Sequence, residues 1–553
     1  MLRSPSRTLR CAALAAAATL TAALAACGGS VSVTGSGSGS ASGSTALTVV
    51  AGPTGPFVAG LNPFSTSDSP ASEGVTSLVY EPLIMFNAIA PTQPPKPWLA
   101  STYAWSNGGR TLTFTIPSGR SWSDGTPLTA SDVAYTFQLL KKDSALNVNG
   151  ISFTGASAPS KASAVLTFAA PAYTQLFNIS KVLIVPQHIW SKIADPVKDP
   201  NDNPVGSGPY LLKSITSQAM TFKANPHYWQ PGLPKVKSVQ VVDYTSQNAA
   251  LNALSAGQID WSTVFMSNPQ QQFIGKDPAH NKLWLVPAGD WFVCPNNAVK
   301  PFSNVAVRQA LAYSINRKSA VPEVEGGFYS PTYSPTGLRA NQGQFMPPSL
   351  SSQSLSYDPA KVRQLLSSAG FTANSPLKVS LLLPSEYTDW MSLGQLFVNE
   401  MKAAGIDASL DGVSVNAWTA DVADGNYQLT FCGLWSDSGP FNTYDTLLNS
   451  QFGAPIGKTA ISNVVRWSNP QTDSLLSSYQ STDSTATQVA DIQGLATIVA
   501  KQVPIIPLMS ISSFGQYSTK NFKGFPGPSN PYQSDAIISP WTEDVIVHLE
   551  PTS

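Results

Sequence analysis

The sequence predicts a mixed α/β protein built as two or three lobes. Three observations carry this. The chain has 553 residues, beyond the size at which a single core keeps growing. Strand-like and helix-like patterns alternate along the body, which is the pattern of layered α/β proteins. No low-complexity tract or repeat interrupts the body after residue 45.

The first 45 residues stand apart. Arg3, Arg7 and Arg10 precede a run of Ala and Leu from Ala12 to Ala26, the charged and apolar regions of an export signal. That run is shorter than the roughly twenty residues a membrane span needs. Leu24-Ala25-Ala26-Cys27-Gly28 resembles a bacterial lipobox, which implies cleavage after residue 26 and a lipidated Cys27. Residues 27–45 are then the lipidated cysteine and a Gly/Ser tether with a root-mean-square reach of about 20–25 Å.

In the body, Ala46–Gly52 is β-branched and ends in Gly and Pro, a strand followed by a turn. Arg110–Ile116 alternates Leu112, Phe114 and Ile116 on one face, a half-buried strand. Asp124-Gly125 then marks a turn, and Thr129 or Ser131 caps a helix whose inner side carries Val133, Phe137 and Leu140. Gln247–Asp260 reads as a helix stopped by Gly257. The next helix places Val307, Ala310, Leu311 and Ile315 on one stripe. A third has Asp358 as N-cap, Pro359 in the first turn, Val362, Leu365, Leu366 and Ala369 inward, and Gly370 as its stop.

Composition excludes several functions. Net charge is zero and charged residues make up 12%, so no basic field exists for nucleic acid or anionic lipid. His188, His227, His280 and His548 are scattered without metal-ligand spacing, and hydrolase, phosphate-loop and dinucleotide motifs are absent. No catalytic, metal or cofactor residue is therefore expected. Of four cysteines, Cys294 and Cys432 remain in the body. Both lie in apolar runs and read as buried free thiols, although an oxidising exterior permits a disulfide.

Six segments occur in an order that resembles the extracellular solute-binding family 5 of bacterial ABC importers, the oligopeptide- and dipeptide-binding type. They are RSWSDGTPLTASDVAYTF; Gly206-Ser207-Gly208-Pro209-Tyr210; Phe222–Val239; Ala253–Asp260; Pro301–Arg317; and Tyr357–Phe371. Most are scaffold: Gly208 and Pro209 are expected to set a turn, Trp229 to plug a core and Arg308 to pin a helix. The resemblance implies a two-lobed periplasmic-binding-protein-like fold with a hinge. Its first lobe would span 47–288, with an inserted subdomain at about 76–204, and take back the C-terminal segment 512–553. The second lobe would span 289–511.

The resemblance also implies a non-enzymatic lipoprotein on the outer face of the membrane. It would act as a monomer, capturing a small oligomeric solute for an ABC permease. Peptide-binding relatives hold the ligand ammonium with an aspartate just after a strand; here that position falls on Ser436, with Asp437 next. Later segments, Asn463–Leu476 and Tyr517–Tyr532, are similar to the cello-oligosaccharide-binding branch, so short peptides and oligosaccharides both stay open. A ligand sensor and a surface hydrolase are the remaining alternatives. The candidate ligand residues are Trp435, Asp437, Tyr444, Trp291, Asn62, Trp418 and Trp390.

Overall fold

In the computed structural model the described residues are 46–552 except 52–56, 58, 59, 66–73, 91, 245, 267, 326, 327 and 436–438. The export signal, Cys27, the tether and Asp437 therefore lie outside them.

The local expectations hold where the sequence carried strong periodicity. Thr129 caps Ala130–Lys142 in a reciprocal capping box with Asp132, and Val133, Phe137 and Leu140 are buried. Leu112, Phe114 and Ile116 face a core from Thr111–Thr115 and its edge. Asp358 caps Pro359–Ser368, and Gly370 takes the left-handed φ of +90° that ends it.

One eleven-stranded sheet runs through the body. On one side are Asp407–Val413, Lys378–Pro384 and Leu429–Trp435, all parallel. On the other, Leu47–Val50 runs parallel to both Trp261–Ser262 and Ser238–Val242, and the sheet continues antiparallel through Ala219–Ala224 and Tyr210–Ile215. Two long antiparallel strands, Asn281–Pro295 and Ile506–Ser518, join the two sides. The first pairs with Leu429–Trp435 only through residues 289–295, and the second pairs with Trp261–Ser262 only through 516 and 517. Their mutual register shifts between Pro287 and Gly289, where Pro287 lacks the N–H a regular ladder needs.

Apolar side chains gather on either side of this crossing. One core joins Leu47, Phe222 and Trp261 to the C-terminal Trp541 and Val545. Two others, around Phe397 and Phe431 and around Leu448 and Leu495, cover opposite faces of the second half of the sheet. Residues 102–167 form a separate four-stranded antiparallel sheet. Its Leu112, Phe114 and Leu166 nonetheless merge with the first core, so this subdomain is welded to its neighbour by shared apolar packing.

Of the scaffold expectations, one gains a further reason and one changes. Residues 207–209 bend as expected, but the glycines there have a second reason: a Cβ on Gly206 would lie 1.8 Å from the Val79 carbonyl oxygen, and one on Gly208 2.5 Å from that of Leu78. Two backbones touch there, which a side chain would prevent. Cys294 and Cys432 are not free thiols but a disulfide, with Cα atoms 5.9 Å apart. Phe292 pairs with Cys432 and Cys294 with Thr430, so the two cysteines are diagonal neighbours on one face of adjacent strands. That proximity comes from register and cannot be read from 138 residues of separation. Arg308 does pin its helix, donating to the carbonyls of Phe302, Gln502 and Val503. Trp229 is half-buried, with its indole donating to Glu81 and the Arg120 guanidinium 3.6 Å above its ring.

Candidate functional site: the facing strand ends

Strand direction locates the site. Trp261–Ser262 runs antiparallel to Ile506–Ser518, so its C-terminal end points toward the crossing, and the parallel neighbour Leu47–Val50 points the same way. Leu429–Trp435 likewise ends at the crossing, with Trp435 paired to Gly289 and Leu434 to Asp290. The C-terminal ends of both parallel sets thus face one zone, and loops at such ends are where open α/β sheets bind ligands.

The segments that follow these strands in sequence share one compositional trait. Residues 51–75, 243–246, 263–268, 385–387 and 436–439 include Asp68, Glu73, Asp243, Glu386 and Asp437 but no Lys, Arg or His.

Three of the expected residues come together. Trp390, buried, is at the centre of an edge-to-face cluster with Trp291 at 4.4 Å and Trp418 at 5.7 Å between ring centroids, spacings that favour aromatic packing. Tyr387, 42% exposed, caps it toward solvent at 5.2 Å from Trp390. The Trp418 indole donates to Thr430, whose hydroxyl donates to the Leu382 carbonyl. Trp291 lies against Gly433, where a Cβ would be 2.9 Å from its ring; the glycine makes room for the indole. Trp435 is the last residue of its strand.

Two expected residues stand behind the loops. Asn62 is buried, donates to the carbonyls of Pro196 and Asp199 and accepts from the Phe64 N–H. These bonds brace the 60–65 loop against residues 196–199. Tyr444 is also buried and donates to the Thr336 carbonyl; burial pushes its hydroxyl well above the usual range, with the Asp290 charge adding to the effect.

Sequence reasoning missed Asp290. It is buried, its Oδ2 is 3.7 Å from Arg339 Nε, and its Oδ1 has no hydrogen-bond partner. Burial raises its carboxyl to about 6 against the pull of Arg339. An acid within the apolar run AGDWFVC is the signal that could have found it, since a buried charge demands a partner. Also missed were Phe265, Phe328 and Phe514 on the opposite side, with ring centroids 4.8 Å apart in each step. Among the described residues no group of three or more His, Cys, Asp or Glu could hold a metal ion.

A family model described as "Bacterial extracellular solute-binding proteins, family 5 Middle" matches residues 94–454. The chain belongs to this family. Within family 5, the chain is 26% identical over 518 residues to the oligopeptide-binding protein OppA of Bacillus subtilis, covering 88% of this chain and 91% of that protein. It is 25% identical over 448 residues to the periplasmic murein peptide-binding protein MppA of Escherichia coli K12, covering 76% and 80%. The structure matches that of a periplasmic oligopeptide-binding protein from Thermotoga maritima with a TM-score of 0.80 at 23% identity, covering 92% of this chain and 99% of that one. The mannohexaose-bound form of the same protein gives 0.71 over the same shares. These likenesses establish the two-lobed binding-protein fold. No helix among the described residues is long and apolar enough to cross a membrane.

Proposed function

We propose that this family 5 protein captures short peptides outside the membrane and delivers them to an ABC permease, without bond chemistry of its own. The supporting observation is the likeness to OppA, a named oligopeptide binder, over 88% of the chain. Trp435, Asp437 and Trp291 are the ligand contacts in this reading; Trp390, Trp418, Asn62 and Tyr444 hold the walls behind them.

The two lobes, 47–288 with 512–553 and 289–511, meet at a hinge in the crossing strands. The register shift between Pro287 and Gly289 supports this placement. A solute touching both sides stabilises the closed state by its differential affinity, and the permease reads closure as occupancy. The lipobox at Cys27 supports anchoring at the outer face, because an acyl chain contributes about 0.8 kcal/mol per buried CH₂. Cys27→Ala then releases the protein from the membrane fraction.

Oligosaccharide capture is a second reading, favoured by the mannohexaose-bound neighbour and by strand-end loops that lack a base for a peptide carboxylate. Native mass spectrometry of the purified protein separates the two through retained mass in amino-acid or hexose increments. Titration of tryptophan fluorescence with both panels gives a single saturable site for one of them. No response to either at millimolar concentration refutes the proposal.

A further inference from the structure

A cavity of about 340 Å³ lies between the inserted four-stranded sheet and the second half of the molecule. Its size is at the low end for small-molecule sites, which run about 300–1,000 Å³, so it holds a ring-sized group rather than a whole oligomer. One wall is the edge strand Thr102–Ser106, where alternation puts Tyr103 and Trp105 on the same half-buried face. Trp105 is fixed there by Phe168 and Tyr173, with ring centroids at 5.5 and 5.2 Å. The opposite wall is Phe441 stacked on Tyr479, centroids 4.3 Å apart and planes 8° from parallel.

Two further observations tie this cavity to the facing strand ends. Gly439 and Pro440 line it; they stand four and five positions after Trp435, so their Cα atoms lie within about 15–19 Å of that strand end. The Gln344 amide donates to the Thr92 hydroxyl at 3.3 Å, which links the two sides next to the cavity, since Thr92 is itself a lining residue. The lining includes one formal charge, Asp483, and no Lys or Arg. The Lys181 ammonium lies 4.3 Å over the ring of the lining Phe177, and Lys181 is not itself a lining residue, so the aromatic walls favour the face of an uncharged ring, through stacking or C–H contact.

We propose that this cavity is a subsite for an uncharged ring at the distal end of an elongated solute whose other end lies at the Trp435 strand end; the proposal rests on the solute-binding reading above. The ring is a sugar or an aromatic side chain, which present the same flat apolar face. Because its walls come from both halves of the molecule, the ring occupies it only while the halves are together, and longer solutes hold the closed state more strongly than short ones.

The test is isothermal titration of the mature protein with two series of increasing length, cello-oligosaccharides and peptides ending in Phe or in Ala. One series shows a step of about three- to tenfold in affinity at the member whose terminal ring reaches the cavity. A step between Phe- and Ala-ended peptides assigns an aromatic side chain; a step within the cello series assigns a sugar. Trp105→Leu and Tyr479→Leu, from opposite walls, each remove the step while the shorter members keep their affinity within about twofold. Either variant suffices if the other fails to fold, as judged by its melting temperature. The subsite is refuted if the wild type binds but shows no step, or if the variants weaken short and long members alike. If no member of either series binds, the solute-binding reading itself fails, an outcome distinct from binding without a step.

Discussion

Reducing the Cys294–Cys432 disulfide should destabilise the protein substantially and leave its native contacts in place. The bond closes a segment of 138 residues, and the loop-closure relation for such a segment gives about 5 kcal/mol of unfolded-state entropy at 25 °C. Part of that is offset wherever the reduced, unfolded chain keeps residual structure, so about 3–5 kcal/mol is the expected loss. Packing adds little, because both sulfurs stay in a core with Phe292, Phe441 and Tyr444 whether or not they are bonded. The assay is guanidinium unfolding with and without a phosphine reductant, alongside thiol titration of the denatured, unreduced protein. The reasoning predicts no reactive body thiol before reduction, two after it, and a clear fall in the unfolding midpoint. Two reactive thiols before reduction would show that the bond does not form. Coincident unfolding curves would show that closing this segment contributes nothing.

Glu81 gives a pH signature. Burial pushes its carboxyl up to about 7, although Trp229, Tyr228 and Trp98 all donate to it. A raised acid favours folding below its unfolded value of 4.5 and loses that contribution as pH rises toward 7. The loss is on the order of 3 kcal/mol, and denaturation across that window should show a slope that Glu81→Gln flattens. Gly206→Ala sets a Cβ against the Val79 carbonyl. A backbone clash has no rotamer to relieve it, so a loss of about 3 kcal/mol is expected in thermal melts. Arg308→Met strips the charge-assisted donors from three carbonyls and should lower stability by about 3 kcal/mol in urea. Arg308→Lys recovers only part of it, since an ammonium cannot fork among them.

What the sequence made legible was local. The cap at Thr129, the alternation of Leu112 and Phe114 and the stop at Gly370 each depend on neighbours within a few positions, where backbone geometry fixes the outcome. Features that depend on distant segments were not legible. Pro287 and Gly289 break the run LWLVPAGDWFVCP into two apparent strands, yet the partner Ile506–Ser518 carries the ladder across the break. Nothing in the sequence around Gly206 shows that the Val79 backbone lies against it. Among the site candidates, a tryptophan's type says that it wants burial or stacking and not which, so Trp390 and Trp291 were separable only in the fold. Tyr103 and Trp105 were invisible as a cavity wall because the opposite wall lies more than 300 residues away.

The crossing strands also constrain how closure works. Each half has its own apolar cores, and apolar interiors are too densely packed to deform smoothly. Relative motion of the halves, in the proposed reading, concentrates in the two crossing strands, whose register shifts at Pro287–Gly289 against Ile511 and Ser512. Gly289 is confined there: a Cβ would meet the Leu434 carbonyl oxygen at 2.3 Å and the Ile511 side chain at 2.5 Å. Trp435 pairs with this same glycine, so a twist of the crossing strands at Gly289 turns the strand end that carries the proposed ligand contact. The disulfide lies one strand pair further into the second lobe and ties Leu429–Trp435 to the crossing strand, which makes the two move as one body. If the proposed hinge lies at 287–289, a bend there turns this strand end, and binding at that end biases the bend in return, because coupling between two coordinates of one body is reciprocal.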